Sequence, residues 1–223
     1  MREPPPSPRA RVRRLPERAA YERETIHAIL DEGLVCHVGL EVDGQPFVLP
    51  MNHGRDGDRL LLHGSAASRL MQGLAAGQPA CFTVTLVDGL VLARSAFHHS
   101  MNFRSVVLLG RARPIDDPAA KSAALRVISE RLVPGRWDAV RPPAPRELAM
   151  TSVVEVPLDE ASAKIRTGPP KDDPEDLALP VWAGVLPLSV TPGDPVPDGV
   201  GGVTEVPACI REWRQGKKRD SPG

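Results

Sequence analysis

Fifteen residues, Leu60-Leu-Leu-His-Gly-Ser-Ala-Ala-Ser-Arg-Leu-Met-Gln-Gly-Leu74, hold the side chains best suited to chemistry. Ser68 and Arg69 stand where an apolar period begins (Leu70, Met71, Leu74, Ala75), so they open a predicted helix that stops at Gly77. A helix start carries unpaired N–H donors and partial positive charge, and a hydroxyl and a guanidinium placed there make a phosphate cradle. The same residues also describe a plain strand-turn-helix with Ser68 as N-cap and Arg69 in water. His63, Gly64 and Ser65 end the preceding strand, and His63 is open as a catalytic acid or covalent residue.

Other reactive types are scattered. Lys164 and Arg166 flank Ile165, so on a strand both cations project to one face. His98-His99 precede a long strand; adjacent histidines on extended chain point apart, and no Cys or acidic ligand has zinc spacing, so a metal site with His53 or His63 is disfavoured and none is expected. His27 reads as a solvated or structural residue. Ser65, Ser68, Ser95 and Ser105 lack a nucleophile-elbow context. Neither a GxGxxG nor a GxxxxGK[ST] loop occurs, which disfavours Rossmann and P-loop enzymes. Cys36, Cys81 and Cys209 are far apart and read as free thiols of a reducing compartment.

The bulk numbers narrow the partners. With 223 residues and 41% hydrophobic composition, one domain with tails is the default. Zero formal net charge gives no electrostatic footprint for nucleic acid or an anionic membrane, and 4% aromatics leaves little base-stacking surface. No run reaches the length of a membrane span and the N-terminus lacks a signal-peptide core, so a cytoplasmic protein is expected.

The elements that must position these residues follow in order. Residues 1–15 are basic and proline-rich and read as a disordered tail. Pro16–Glu32 reads as a helix of about 15 residues with Ile26, Ile29 and Leu30 on one stripe. Leu34–Val42 and Gln45–His53 form a hairpin around Asp43-Gly44, and Arg55–Asp58 turns into a third strand at Leu60–Leu62. After the Ser68 helix come strands at 80–87, 89–96 and 102–113, with Gly110 marking a bulge or close approach. A helix at 118–132, a loop at 142–147 and a seventh strand at 151–158 follow. Residues 161–170 are short and polar, 172–176 an acidic loop and 180–188 a compact apolar segment. The rest is proline, glycine and charge. Three antiparallel strands followed by a helix is a meander that curls toward a barrel.

The order of Leu34-Val-Cys-His-Val-Gly-Leu40, Val48-Leu-Pro-Met-Asn52, His63-Gly-Ser65, Ser68-Arg69 and Asn102-Phe-Arg-Ser-Val-Val-Leu-Leu-Gly110 resembles the pyridoxamine 5'-phosphate oxidase-like flavin proteins, nearest their small bacterial branch with the nitroimidazole-resistance proteins. The resemblance covers residues 16–188 as one FMN-binding domain and leaves 189–223 as a C-terminal extension. It implies a mainly β fold with flanking helices, a six-stranded antiparallel split β-barrel of Greek-key type, a homodimer, and FMN in a cleft between subunits.

By the same resemblance, Leu49, Pro50, Met51 and Asn52 run along the isoalloxazine edge, and His63, Gly64 and Ser65 lie beside the ring and ribityl chain. Ser68 and Arg69 match the phosphate pair, and Asn102, Arg104 and Ser105 the strand with polar flavin contacts. The family often adds a lysine after Ser-Arg; Leu70 stands there, so Lys164 or Arg166 must supply the missing charge. Trp182, in Val181-Trp-Ala-Gly184, either covers the ring or seals the barrel end. The substrate-phosphate arginines of the vitamin B6 oxidase proper are not recognisable. The expected function is therefore an FMN-dependent oxidoreductase joining a nicotinamide donor to a small organic acceptor. The alternatives are a non-catalytic flavin carrier or sensor, or a relative that binds deazaflavin or haem.

Overall fold

The computed structural model describes residues 3–219, with side chains as far as residue 213. Its strands are β1 (Ala19–Ala20), β2 (Cys36–Val42), β3 (Gln45–Met51), β4 (His53–Asp56), β5 (Arg59–Ser65), β6 (Pro79–Leu92), β7 (Ser100–Arg111), β8 (Arg113–Pro114), β9 (Thr151–Pro157), β10 (Ala161–Arg166) and β11 (Gly184–Pro187). The helices are α1 (Arg23–Glu32), α2 (Arg69–Ala75), α3 (Pro118–Leu132), α4 (Pro145–Met150) and α5 (Ala208–Arg219). All strand pairs are antiparallel. They form a seven-stranded sheet, in the order β1-β10-β7-β6-β2-β3 with β11 also on β6, and a four-stranded sheet, β4-β5-β9-β8. The fold is thus mainly β with flanking helices, laid out as two sheets; among the described residues no strand pairing closes them into the expected six-stranded ring.

Local signals set several elements. Asp43 (φ 53°) and Gly44 (φ 78°) take the left-handed conformations that a tight two-residue hairpin demands. Asp117 accepts the amide of Ala120 at 2.8 Å, and Pro118 opens α3 where no helical N–H is needed. Alternation on β5 then divides the core. Leu60 and Leu62 enter the large cluster with Phe82, Val106 and Leu108, while Leu61 enters a small one with Val153, Ala124 and Ile128 of α3. Each fully buried leucine contributes about 2 kcal/mol. Gly54 lets α3 lie close: a Cβ there would sit 3.0 Å from the Ile128 backbone.

Several expectations change. The predicted first helix shortens to α1, because Ala19 and Ala20 pair with Lys164 and Ala163 instead. The return strand of the hairpin breaks after Met51, and His53 begins β4 in the other sheet. The strands predicted at 80–87 and 89–96 are one strand, β6, with a register shift between Val87 and Gly89. The loop at 142–147 contains the start of α4, and the C-terminal extension contains α5. Residues 161–166, too polar to look buried, form β10 with Ala161 and Ala163 in the core. Gly110 is a close approach, since a Cβ would meet Val156 at 3.3 Å.

Within the segment expected as a tail, Ala10 is buried, Arg9 pairs with Glu160, and the Val12 amide donates to the Tyr21 hydroxyl at 3.0 Å. No described helix is long and apolar enough to cross a membrane.

Candidate functional site

The hairpin β2-β3 and the start of α2 enclose a cavity of about 220 Å³ lined by Leu40, Val42, Phe47, Leu49, Ser68, Arg69 and Leu70. Three predicted residues, Leu49, Ser68 and Arg69, therefore meet. Alternation along β3 turns Phe47 and Leu49 toward this cavity and leaves Val48 exposed. Ser68 is the N-cap of α2, yet its hydroxyl makes no cap bond. Arg69 lies with Cζ 5.3 Å from the Phe47 ring centroid, a cation–π contact, and forms no ion pair with any described residue. A guanidinium and a hydroxyl thus stand free beside an apolar wall. The Ser65 carbonyl accepts the Ser68 amide at 2.9 Å, and the Ser65 hydroxyl accepts the Ala67 amide at 3.2 Å, so Ser65 shapes the turn.

Gly64 and Met51 back this corner: a Cβ on Gly64 would lie 2.9 Å from Met71 Cγ and 3.7 Å from Met51 Cε. Pro50, next along β3, is exposed. Asn52, at the sheet switch, and His63 line a different cavity, of about 500 Å³, with Leu125, Ile128, Leu132, Trp137, Arg141 and Glu147. His63 shares the β5 face of Leu61, toward α3, and burial pulls its pKa below the usual imidazole value, favouring the neutral ring.

The β7 and β10 candidates divide. Asn102 and Arg104 share the core-side face, whereas Ser105 faces the other way beside Lys164, whose carbonyl its hydroxyl donates to at 3.3 Å. Arg104 is already taken up by two carboxylates. Its Nε and Nη2 donate to Asp88 at 3.0 and 2.7 Å, and Nη1 and Nη2 donate to Glu32, tying α1 to β6 and β7. Arg166 is buried, donates to Asn102 Oδ1 and to the carbonyls of Gly168 (2.9 Å) and Pro169 (3.1 Å), and so holds the turn after β10. Lys164, half-buried, forms no ion pair with a described residue. Trp182 is 67% exposed and packs on Gly184, which removes the reading that it seals the barrel end.

Along the large sheet, β3 and β7 are three strand spacings apart and β3 and β10 four, about 14 Å and about 19 Å.

The remaining histidines hold separate partners: His53 Nε2 faces the Leu30 carbonyl at 2.9 Å, His99 that of Ala93 at 3.2 Å, His98 Asp173 at 3.0 Å and His27 Asp58 at 2.9 Å. Among the described residues no group of three His, Cys, Asp or Glu could hold a metal ion. Burial pushes the Cys36 thiol up to about 12, which makes it inert. What the sequence reading missed is the wall around His63: Trp137, Arg141 and Glu147 come from segments with no motif, 70 or more residues away.

Comparison with known proteins places this geometry. A model of the pyridoxamine 5'-phosphate oxidase family matches residues 22–165. Comparison with curated proteins gives no match. Among solved structures, the flavocytochrome Anf3 from Azotobacter vinelandii is 46% identical over 93% of this chain and 97% of its own, with a TM-score of 0.85. An FAD- and haem-binding protein from Mycobacterium smegmatis is 36% identical over 87% of this chain and 96% of its own, with a TM-score of 0.83. A candidate 5-nitroimidazole antibiotic resistance protein from Bacteroides thetaiotaomicron is 25% identical over 66% of this chain and 86% of its own, with a TM-score of 0.56. With the matched span covering more than half of the sequence and relatives at 46% and 36% identity, the chain belongs to the pyridoxamine 5'-phosphate oxidase-like family.

Proposed function

We propose that this protein is a homodimeric redox protein that binds FAD, in place of the FMN expected from the sequence, together with a haem. The observation that carries the flavin half is the Arg69 corner, where a guanidinium and a hydroxyl with no polar partner among the described residues flank the apolar side chains of Phe47 and Leu49. A phosphate needs such donors, and an isoalloxazine needs such a wall. The choice of FAD rests on the Mycobacterium smegmatis relative, whose name states FAD and haem, and the addition of haem rests on that protein and on Anf3, which is named a flavocytochrome. The flavin supplies two-electron chemistry and the haem one-electron chemistry; the chain's part is to bind, orient and exclude water.

The dimer is supported by two features. β3 ends the large sheet, and Val48 (63% exposed) and Leu49 (44%) leave its apolar edge uncovered, an arrangement that invites a second chain. The family resemblance also puts the flavin cleft between subunits, so a second copy would supply the other wall of the Arg69 corner. A nicotinamide donor and a small organic acceptor remain the expected redox partners in a cytoplasmic setting, consistent with three free thiols.

The test is to purify the protein, record its spectrum and identify the released cofactors by mass. FAD with a haem Soret band supports the reading, FMN alone returns it to the sequence expectation, and neither cofactor overturns it. Bleaching of the flavin band by NAD(P)H then separates an enzyme from a carrier or sensor.

A further inference from the structure

The cavity against α3 is separate from the Arg69 corner and has a different chemistry. Leu125, Ile128, Leu132 and Trp137 give it apolar walls, and its volume of about 500 Å³ falls in the range of small-molecule and cofactor sites. His63 enters it from β5. Of the described histidines, the four others that are buried or bonded each have a hydrogen-bond partner, and His37 is exposed. His63 is half-buried, its Nδ1 is sealed from solvent without a partner, and no described group bonds its Nε2.

A ring held in an apolar wall with unused bonding capacity is a ligand looking for a Lewis acid. The charges around it are few. Glu147 is bound to Arg141 through two guanidinium nitrogens, so the pair carries no net charge and leaves no free carboxylate for a hard cation. Apolar walls and one imidazole fit the face of a flat metalloporphyrin.

Resting on the reading above that the protein carries haem, we infer that the haem sits in this cavity between β5 and α3, with His63 Nε2 as an axial ligand to iron. This also takes His63 away from the flavin edge. His63 and Ser65 are two residues apart on β5, about 7 Å, so the two cofactors would lie on neighbouring parts of one strand.

The experiment uses the full-length holoprotein, the parent beside His63→Ala and the polar, similarly sized His63→Gln. Haem and flavin content, the Soret position, the electron paramagnetic spectrum and Tm are measured. Both variants are expected to lose haem affinity by about 100-fold or to show a changed ligand-field spectrum, to keep their flavin, and to regain the parent spectrum when imidazole is added. Parent-like haem spectra in the variants would overturn the assignment while leaving the haem reading intact. Loss of flavin with haem retained would overturn it too and return His63 to the flavin. A parent that holds flavin but takes up no haemin would remove the haem reading and this inference together. Should His63→Ala fail to fold, His63→Gln and imidazole rescue decide the matter.

Discussion

Arg69 and Arg104 are the same residue type, and both match positions expected to touch a flavin, yet the fold treats them oppositely. Arg104 is held between Asp88 and Glu32, and these two carboxylates raise its pKa further above the arginine range. Arg69 has, among the described residues, no ion pair, and the face of Phe47 lies beneath it. Charge on a side chain is therefore a poor guide to a ligand; what matters is whether the protein has already supplied the counter-charge.

The contrast can be broken from either side. The largest effect is expected for Arg69→Glu, which removes charge-assisted donors and adds repulsion. Flavin affinity should fall by at least about 100-fold, read as flavin content and by fluorescence titration, with Tm of the flavin-free protein unchanged. Flavin retained at parent affinity would mean that the corner is not the phosphate site.

Arg104→Ala should do the reverse. Glu32 and Asp88 would lose the guanidinium they share, costing about 1–2 kcal/mol after allowance for partial solvent screening, or roughly 2–8 °C in Tm. Flavin affinity should stay near that of the parent, and a selective loss of flavin would contradict the assignment of Arg104 to structure.

The smallest effect concerns the rim of the α3 cavity. Arg141, with the Ala144 amide, holds the Glu147 carboxyl down at about 2 from its ordinary 4.5. A depressed carboxylate pKa stabilises the fold above the unfolded value, and that contribution disappears as pH falls from 4.5 toward 2. Glu147→Gln lacks this proton. The Tm difference between the parent and Glu147→Gln should therefore shrink across that window; a difference that stays constant would show that the pair contributes nothing.

Much of the local structure was legible because its causes lie within a few residues. Asp117-Pro118 starts α3 and Asp43-Gly44 turns the hairpin without help from elsewhere. The Ser68-Arg69 corner was legible for the same reason, since a strand end, a turn and a helix start are contiguous. The sheet switch at Asn52 was not, nor was the fusion of two predicted strands into β6, because both depend on which distant strand supplies the hydrogen bonds. β1 and β10 illustrate this best: each is short and weakly patterned, and they are strands because they pair with each other, with β7 anchoring β10.

The sequence by itself determined the family, the β2-β3 hairpin and the Ser68-Arg69 start of α2, because those are written in contiguous motifs and near-neighbour chemistry. Tertiary structure alone decided that Arg104 is tied down, that Asn102 and Ser105 face opposite ways, and that His63 looks into a cavity walled by α3 and Trp137. Those outcomes turn on which surfaces meet after folding: a side chain's partners are set by separations in space, and residues far apart in the chain carry no mark of their eventual neighbours.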